Sequence, residues 1–195
     1  MKVALGFRPH SGWTAAVTVG ERAGRPVVLG RWRLELSTPD VPVQAYHAAA
    51  GLDPASAATL VERAHDVARE LAGRGLDACT AELRADGREP VAVGLPVGSM
   101  AIPRELAKIL GSHPLLHAAE GDLFREVIAE AAEQRGLRIV EQPARELPAL
   151  AQRAFGVSEA ALPGLLAELG QTIGRPWRKD DKDATILGWL ALTAP

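Results

Sequence analysis

The chain has 195 residues and a formal net charge of −2 at neutral pH. That length suits one domain with a full core, and that charge excludes a uniformly basic nucleic-acid coat protein while leaving room for a local basic patch. Hydrophobic residues make up 47% but aromatic ones only 4%, so the interior must be packed from small aliphatics with tryptophans as its large pieces. A single cysteine, Cys79, excludes an internal disulfide and a cysteine-based zinc cluster.

In chain order, Val3, Leu5 and Phe7 alternate with Ala4 and Gly6, which predicts a strand. Gly12 then marks a turn into a second strand, 13–19. A third strand is predicted over 27–36, with Arg31, Arg33 and Glu35 on one side and Trp32, Leu34 and Leu36 on the other; the three form an antiparallel meander. Residues 37–54 hold Pro39, Pro42, Gly51 and Pro54, which predicts a long connection carrying a short helix, with Tyr46 and His47 inside it. From 55 to 72 the spacing becomes helical, with Leu60, Val61, Ala64, Val67, Ala68 and Leu71 on one face. Gly73 and Gly75 end or interrupt that helix, and 76–83 reads equally as helix or strand.

The apolar run from Pro90 to Gly98 suits a buried parallel strand reached by a crossover. A short helix over 102–110 is opened by Pro103. A longer one, from about Pro114 to Gln134, has Ser112 as its expected cap. A strand over 136–141 stops before Pro143, and helices are expected at 146–155 and 158–169, the second capped by Ser158. The last helix covers residues 179–192 and starts with Asp180, Asp181 and Asp183.

Three stretches resemble the RNase H-like superfamily in its RuvC and YqgF branches. Gly6-Phe7-Arg8-Pro9-His10-Ser11-Gly12 stands where the family has its first-strand pattern G-x-D-x-G, Val93-Gly94-Leu95-Pro96 is similar to a V-G-L-P stretch of YqgF-type proteins, and Asp180 with Asp183-Ala184 fits the D-x-x-D-A start of the RuvC terminal helix. The resemblance implies an α/β fold with an RNase H-like mixed sheet of about five strands, three antiparallel and then parallel by crossover, with helices on both faces, in a single domain over 1–195. It also implies phosphodiester hydrolysis with Mg2+ or Mn2+ held by converging acids. The sequence departs from the family at two of those acids. Arg8 stands where the first-strand aspartate belongs, and a guanidinium has donors but no acceptor for a cation. No carboxylate lies between Gly94 and Met100.

Two constellations are left to rebuild a site. Asp180 and Asp183 are candidate catalytic and metal-binding acids, although acids in a first helical turn also serve the helix dipole and its free amides. His113, His117 and Glu120 fall on one face of a predicted helix, so His117 and Glu120 are candidates for catalysis and all three for metal binding. A histidine pair four residues apart with a carboxylate suits zinc, manganese or nickel. Gly121, beside Glu120, suggests close approach of another backbone or a ligand. For phosphate or nucleic acid the candidates are Arg8, His10, Arg175, Arg178 and Lys179, the last three around Trp177, which either stacks a base or tucks into the core.

The resulting expectation is a divergent RuvC-like protein that acts on or binds nucleic acid, as a metal-dependent nuclease with a rebuilt site. The alternative is a non-catalytic RNase H-fold module for a protein or nucleotide partner. A cytoplasmic location without a membrane partner is expected, because neither a leader-like nor a membrane-length apolar run occurs. A homodimer is compatible with the sequence.

Overall fold

The computed structural model describes residues 1–194. Strands β1 (Lys2–His10), β2 (Trp13–Arg22) and β3 (Arg25–Glu35) form the antiparallel meander; β4 (Glu89–Val97) and β5 (Arg138–Pro143) add parallel strands on the other side of β1. The sheet order is β3-β2-β1-β4-β5, which leaves β1 in the centre. The mixed five-stranded sheet with helices on both faces is the expected architecture.

Alternation along β1 divides the molecule. Val3, Leu5 and Phe7 are fully buried in the large core formed with α2 (Pro54–Ala85) and α4 (His113–Glu133). The intervening residues face α7 (Lys179–Thr193), as expected for a period of two. Here α7 lies almost backbone to backbone on the sheet: a Cβ at Gly6 would overlap the Ala184 carbonyl oxygen and the Gly188 amide, and one at Gly94 would overlap the Leu187 carbonyl. The absence of these side chains lets the helix settle against β1 and β4. Ala184, Leu187, Gly188 and Ala191 are wholly buried or nearly so. Further along the same face of β1 come Arg8 and His10, and one and two turns before Gly188 on α7 come Ala184 and Asp180. The close helix–sheet contact therefore delivers the acids of α7 to the C-terminal end of β1.

The ambiguous stretch 76–83 is helical, because α2 runs for 32 residues through both glycines. Leu34 packs where a side chain at Gly75 would sit, and Arg135 reaches across from the end of α4 to donate to the Gly73 carbonyl at 2.9 Å and to both carboxylate oxygens of Asp77 at 2.7 Å. Asp53 caps the start of α2, accepting from the amides of Ala55 and Ser56. The connection before it holds α1 (Ala45–Ala49).

Several boundaries differ from the sequence reading. Pro103 lies outside α3 (Leu106–Leu110), which begins after Glu105. Ser112 occupies the N-cap position of α4 without a side-chain capping bond. Strand β5 continues to Pro143, an edge position where a missing amide is tolerated. A 3₁₀ turn follows, then α5 (Leu147–Phe155) and α6 (Leu162–Leu169). Ser158 heads a tight turn whose carbonyl accepts from Ala161 and Leu162, so it lies four residues before the helix it was expected to cap. Among the described residues, no helix is long and apolar enough to cross a membrane.

Candidate functional site

At the C-terminal end of β1, each acid at the start of α7 faces a basic side chain. Arg8 Nε lies 3.5 Å from Asp183 Oδ2, and Lys179 Nζ donates to the same oxygen at 2.5 Å. His10 Nε2 lies 3.0 Å from Asp180 Oδ1, within ion-pair range although off hydrogen-bond alignment. Asp181, which is buried, accepts from the Arg178 amide at 2.7 Å and lies 3.9 Å from Arg31, whose guanidinium also donates to the Pro176 carbonyl. Asp181 thus serves the start of α7 as an acidic first-turn residue should. Arg8 and Arg31 are fixed cations standing against these carboxylates, where a two-metal centre would need open lone pairs on converging oxygens.

Of the two readings of Trp177, stacking a base or tucking into the core, the structure takes the second: its indole donates to the Leu166 carbonyl at 2.7 Å and packs over Gly170, so it anchors the loop before α7. That anchoring leaves Arg175, Arg178 and Lys179 exposed on the outside. A second indole, Trp13, is half-buried beside the β1–β2 turn. His10 stacks on it at 4.5 Å between ring centroids, and the Arg33 guanidinium lies 3.8 Å from its centroid. The hairpin register was the signal that could have revealed it, since His10 and Trp13 are direct partners across the β1–β2 turn. A shallow depression of about 210 Å³ is lined by Trp13, Arg31, Arg33, Arg178, Asp180 and Asp181.

On the other side of Arg8 a cleft of about 510 Å³ opens between the ends of β1, β4 and β5 and the first turns of α4. Arg8, Pro96, Ser99, His117, Gly121, Asp122, Arg125 and Glu141 line it. No backbone approaches Gly121: a Cβ there would meet only open space, and the glycine forms part of the cleft wall. Arg125 is held by Asp122 at 2.7 Å and Glu141 at 2.6 Å. Burial works against the Arg125 charge, but its bond to Asp122 and the neighbouring carboxylates carry its pKa above the ordinary value. Burial, with the Asp122 charge adding to it, raises the pKa of Glu126 on the same helix.

At the N-terminal end of α4, His113 and His117 bring their Nε2 atoms to 3.1 Å. Glu120, 3% exposed, turns away from a shared ligand position with them: its Oε1 accepts from the His47 amide at 3.1 Å and lies 3.3 Å from His47 Nδ1. His47, from α1, completes a trio with His113 and His117. The structure therefore joins Glu120 to the histidines through His47, a residue whose place in a long connection carried no periodicity to reveal it. Next to it Tyr46 is buried, with its hydroxyl 3.0 Å from His65 Nε2. Burial raises the Tyr46 pKa to about 12, and the charges of Glu126, Glu120 and Asp122 add to the shift.

No family model and no curated protein matches the sequence. Solved structures do match in fold, two of RuvC among them. Thermus thermophilus RuvC is 16% identical with a TM-score of 0.52, over 96% of this chain and 91% of that one. The T. thermophilus RuvC complex with a Holliday junction substrate is 15% identical with a TM-score of 0.52, over 97% and 91%. The fold is RNase H-like. At this identity the likeness concerns the path of the backbone, and the residues at the end of β1 and the start of α7 have to be read on their own chemistry.

Proposed function

We propose that the chain is an RNase H-fold module that binds nucleic acid along the edge formed by β2, β3 and the start of α7, and that it does not carry out two-metal hydrolysis at the end of β1. The observation that carries this reading is the contact of Arg8 with Asp183. An arginine at that position supplies permanently the positive charge that metal ions would supply at a nuclease centre, and it cannot activate water as a bound ion does. With His10 against Asp180 and Arg31 near Asp181, each acid at the start of α7 is met by a basic side chain of the protein.

Support for nucleic acid comes from two directions. One of the structures similar in fold is a complex with a Holliday junction. In addition, Arg175, Arg178 and Lys179 are exposed at the loop before α7 and its start, and Arg31, Arg33 and Arg178 line the depression beside Trp13, a local concentration of cations suited to phosphates. The overall charge of −2 makes this a local patch whose contacts salt should weaken.

Fluorescence anisotropy with labelled four-way junction, single-stranded DNA and RNA tests the reading, with Mg2+ or Mn2+ added in parallel to look for cleavage. Binding should weaken with salt. Replacing Arg175, Arg178 and Lys179 by alanine should lower the logarithmic salt slope by roughly 2–3, the value for three lost phosphate contacts. Absence of affinity for every nucleic acid at low salt would refute the binding. Cleavage that disappears in Asp183→Asn would refute the loss of hydrolysis and establish a rebuilt metal centre.

A further inference from the structure

The histidine trio makes its contacts between α1 and α4 and takes no part in the ion pairs of α7 or in the proposed binding edge. We propose that His47, His113 and His117 form a binding site for a borderline divalent transition-metal ion of the zinc class, with Glu120 as the carboxylate that orients His47.

Geometry comes first. One nitrogen from each ring lies within 4.8 Å of the others, and the rings come from two separate helices. His113 and His117 are one turn apart on α4, and their Nε2 atoms are 3.1 Å apart. Two imidazole nitrogens about 2.0–2.1 Å from a tetrahedral ion stand roughly 3.3 Å from each other, so this pair is already near the required bite. The His47 ring centroid lies 4.7 Å from that of His117 and 5.9 Å from that of His113. His113 and His117 are exposed while His47 is partly buried, so the adjustment that closes the set on an ion falls to the two α4 rings.

The surroundings of His47 point the same way. Its Nδ1 faces Glu120 Oε1 at 3.3 Å, while its Nε2 is shielded from solvent and lacks a hydrogen-bond partner among the described residues. A carboxylate on Nδ1 holds the proton on that atom and leaves the Nε2 lone pair free, the arrangement found behind metal-bound histidines. Glu120 gains position from this role: it is buried, takes its second bond from the amide at the first turn of α1, and so ties α1 to α4. A buried carboxylate needs compensating charge, and a metal ion relayed through His47 provides it.

Ligand type selects the ion. Neutral imidazoles suit zinc, cobalt, nickel or copper, whereas Mg2+ requires oxygen ligands, so the Mg2+ expected from the family resemblance is the wrong ion for this cluster. Three protein ligands leave a position open to water or an anion. His117 also lines the cleft that reaches Arg8, which places that position within range of whatever the cleft admits.

The test uses full-length protein with any affinity tag removed. Equilibrium dialysis against Zn2+ followed by elemental analysis should give one bound ion per chain, and Co2+ should develop the intense visible bands of a four-coordinate site. His47→Ala, His113→Ala and His117→Ala should each weaken binding by at least about 100-fold, and Glu120→Gln by roughly 10- to 100-fold. Circular dichroism checks that each variant is folded. Where one is not, imidazole 15N shifts of the wild-type protein on adding Zn2+ should report three coordinated nitrogens. Failure of the wild type to bind Zn2+ or Co2+, binding undiminished in folded His47→Ala, or 15N shifts confined to His113 and His117 would each overturn the proposal. None of these readouts involves nucleic acid, so the binding reading can fail without affecting this one.

Discussion

Arg8→Asp is the sharpest perturbation available, because it restores an acid to the position where the similar family carries one. The Arg8–Asp183 pair spans 3.5 Å with the two side chains 30% and 16% exposed, and Lys179 shares the same carboxylate oxygen. Partial solvation and the second cation hold the net value of the pair to about 1 kcal/mol. Replacing attraction by repulsion between two carboxylates adds about as much again, so the variant should lose roughly 2 kcal/mol. For a chain of this size that lowers Tm by about 4–8 °C. The two acids would then face each other with their lone pairs open, and Mg2+ at ten times its Kd should return about 1.4 kcal/mol, or roughly 3–6 °C. Differential scanning calorimetry with MgCl2 and with NaCl at matched ionic strength measures both effects. The wild type should show no Mg2+-specific shift. A variant as stable as the wild type, or one destabilised without any Mg2+ response, would refute the idea that Arg8 stands in for a cation at this end of β1.

Gly6→Ala should lose about 3–5 kcal/mol in urea denaturation, because its methyl group would displace the backbone of α7. Gly164→Ala, in open space within α6, should gain up to about 1 kcal/mol. Stability should also fall at both ends of the pH scale. Burial, with Arg69 assisting, lowers the pKa of His65, so below about pH 6.5 the unfolded chain takes up a proton that the folded chain refuses. The Tyr46 pKa of about 12 means that between about pH 10 and 12 the unfolded chain loses a proton that the folded chain retains. Urea midpoints against pH should show both slopes, with the acid one reduced in His65→Gln and the alkaline one in Tyr46→Phe. Cys79, 1% exposed and with its thiol pKa pushed up to about 12 by burial and then by Glu82, should react with a thiol reagent only after unfolding.

Local patterns carried the architecture. Alternation in β1 and β3 and the Pro-bounded apolar run of β4 each reflect a periodicity or punctuation that neighbouring residues impose on one another, and they pointed to the meander and the crossover, whereas the covering helix with its acidic start was expected from the family resemblance. The same level of reading identified Arg8 as incompatible with a metal ligand, because that follows from the chemistry of one side chain. Contacts across the chain required the tertiary structure. Gly6, Gly94 and Gly188 could be read as small residues, but only the seating of α7 shows that their missing side chains bring Asp183 to Arg8 and Asp180 to His10. His47 stands 66 residues before His113 in a connection without periodicity, and joins the α4 histidines only because α1 packs against α4 and Glu120 reaches its amide and ring. Periodic elements are specified by residues a few positions apart, whereas a site built from separate elements depends on packing between faces that local sequence does not encode.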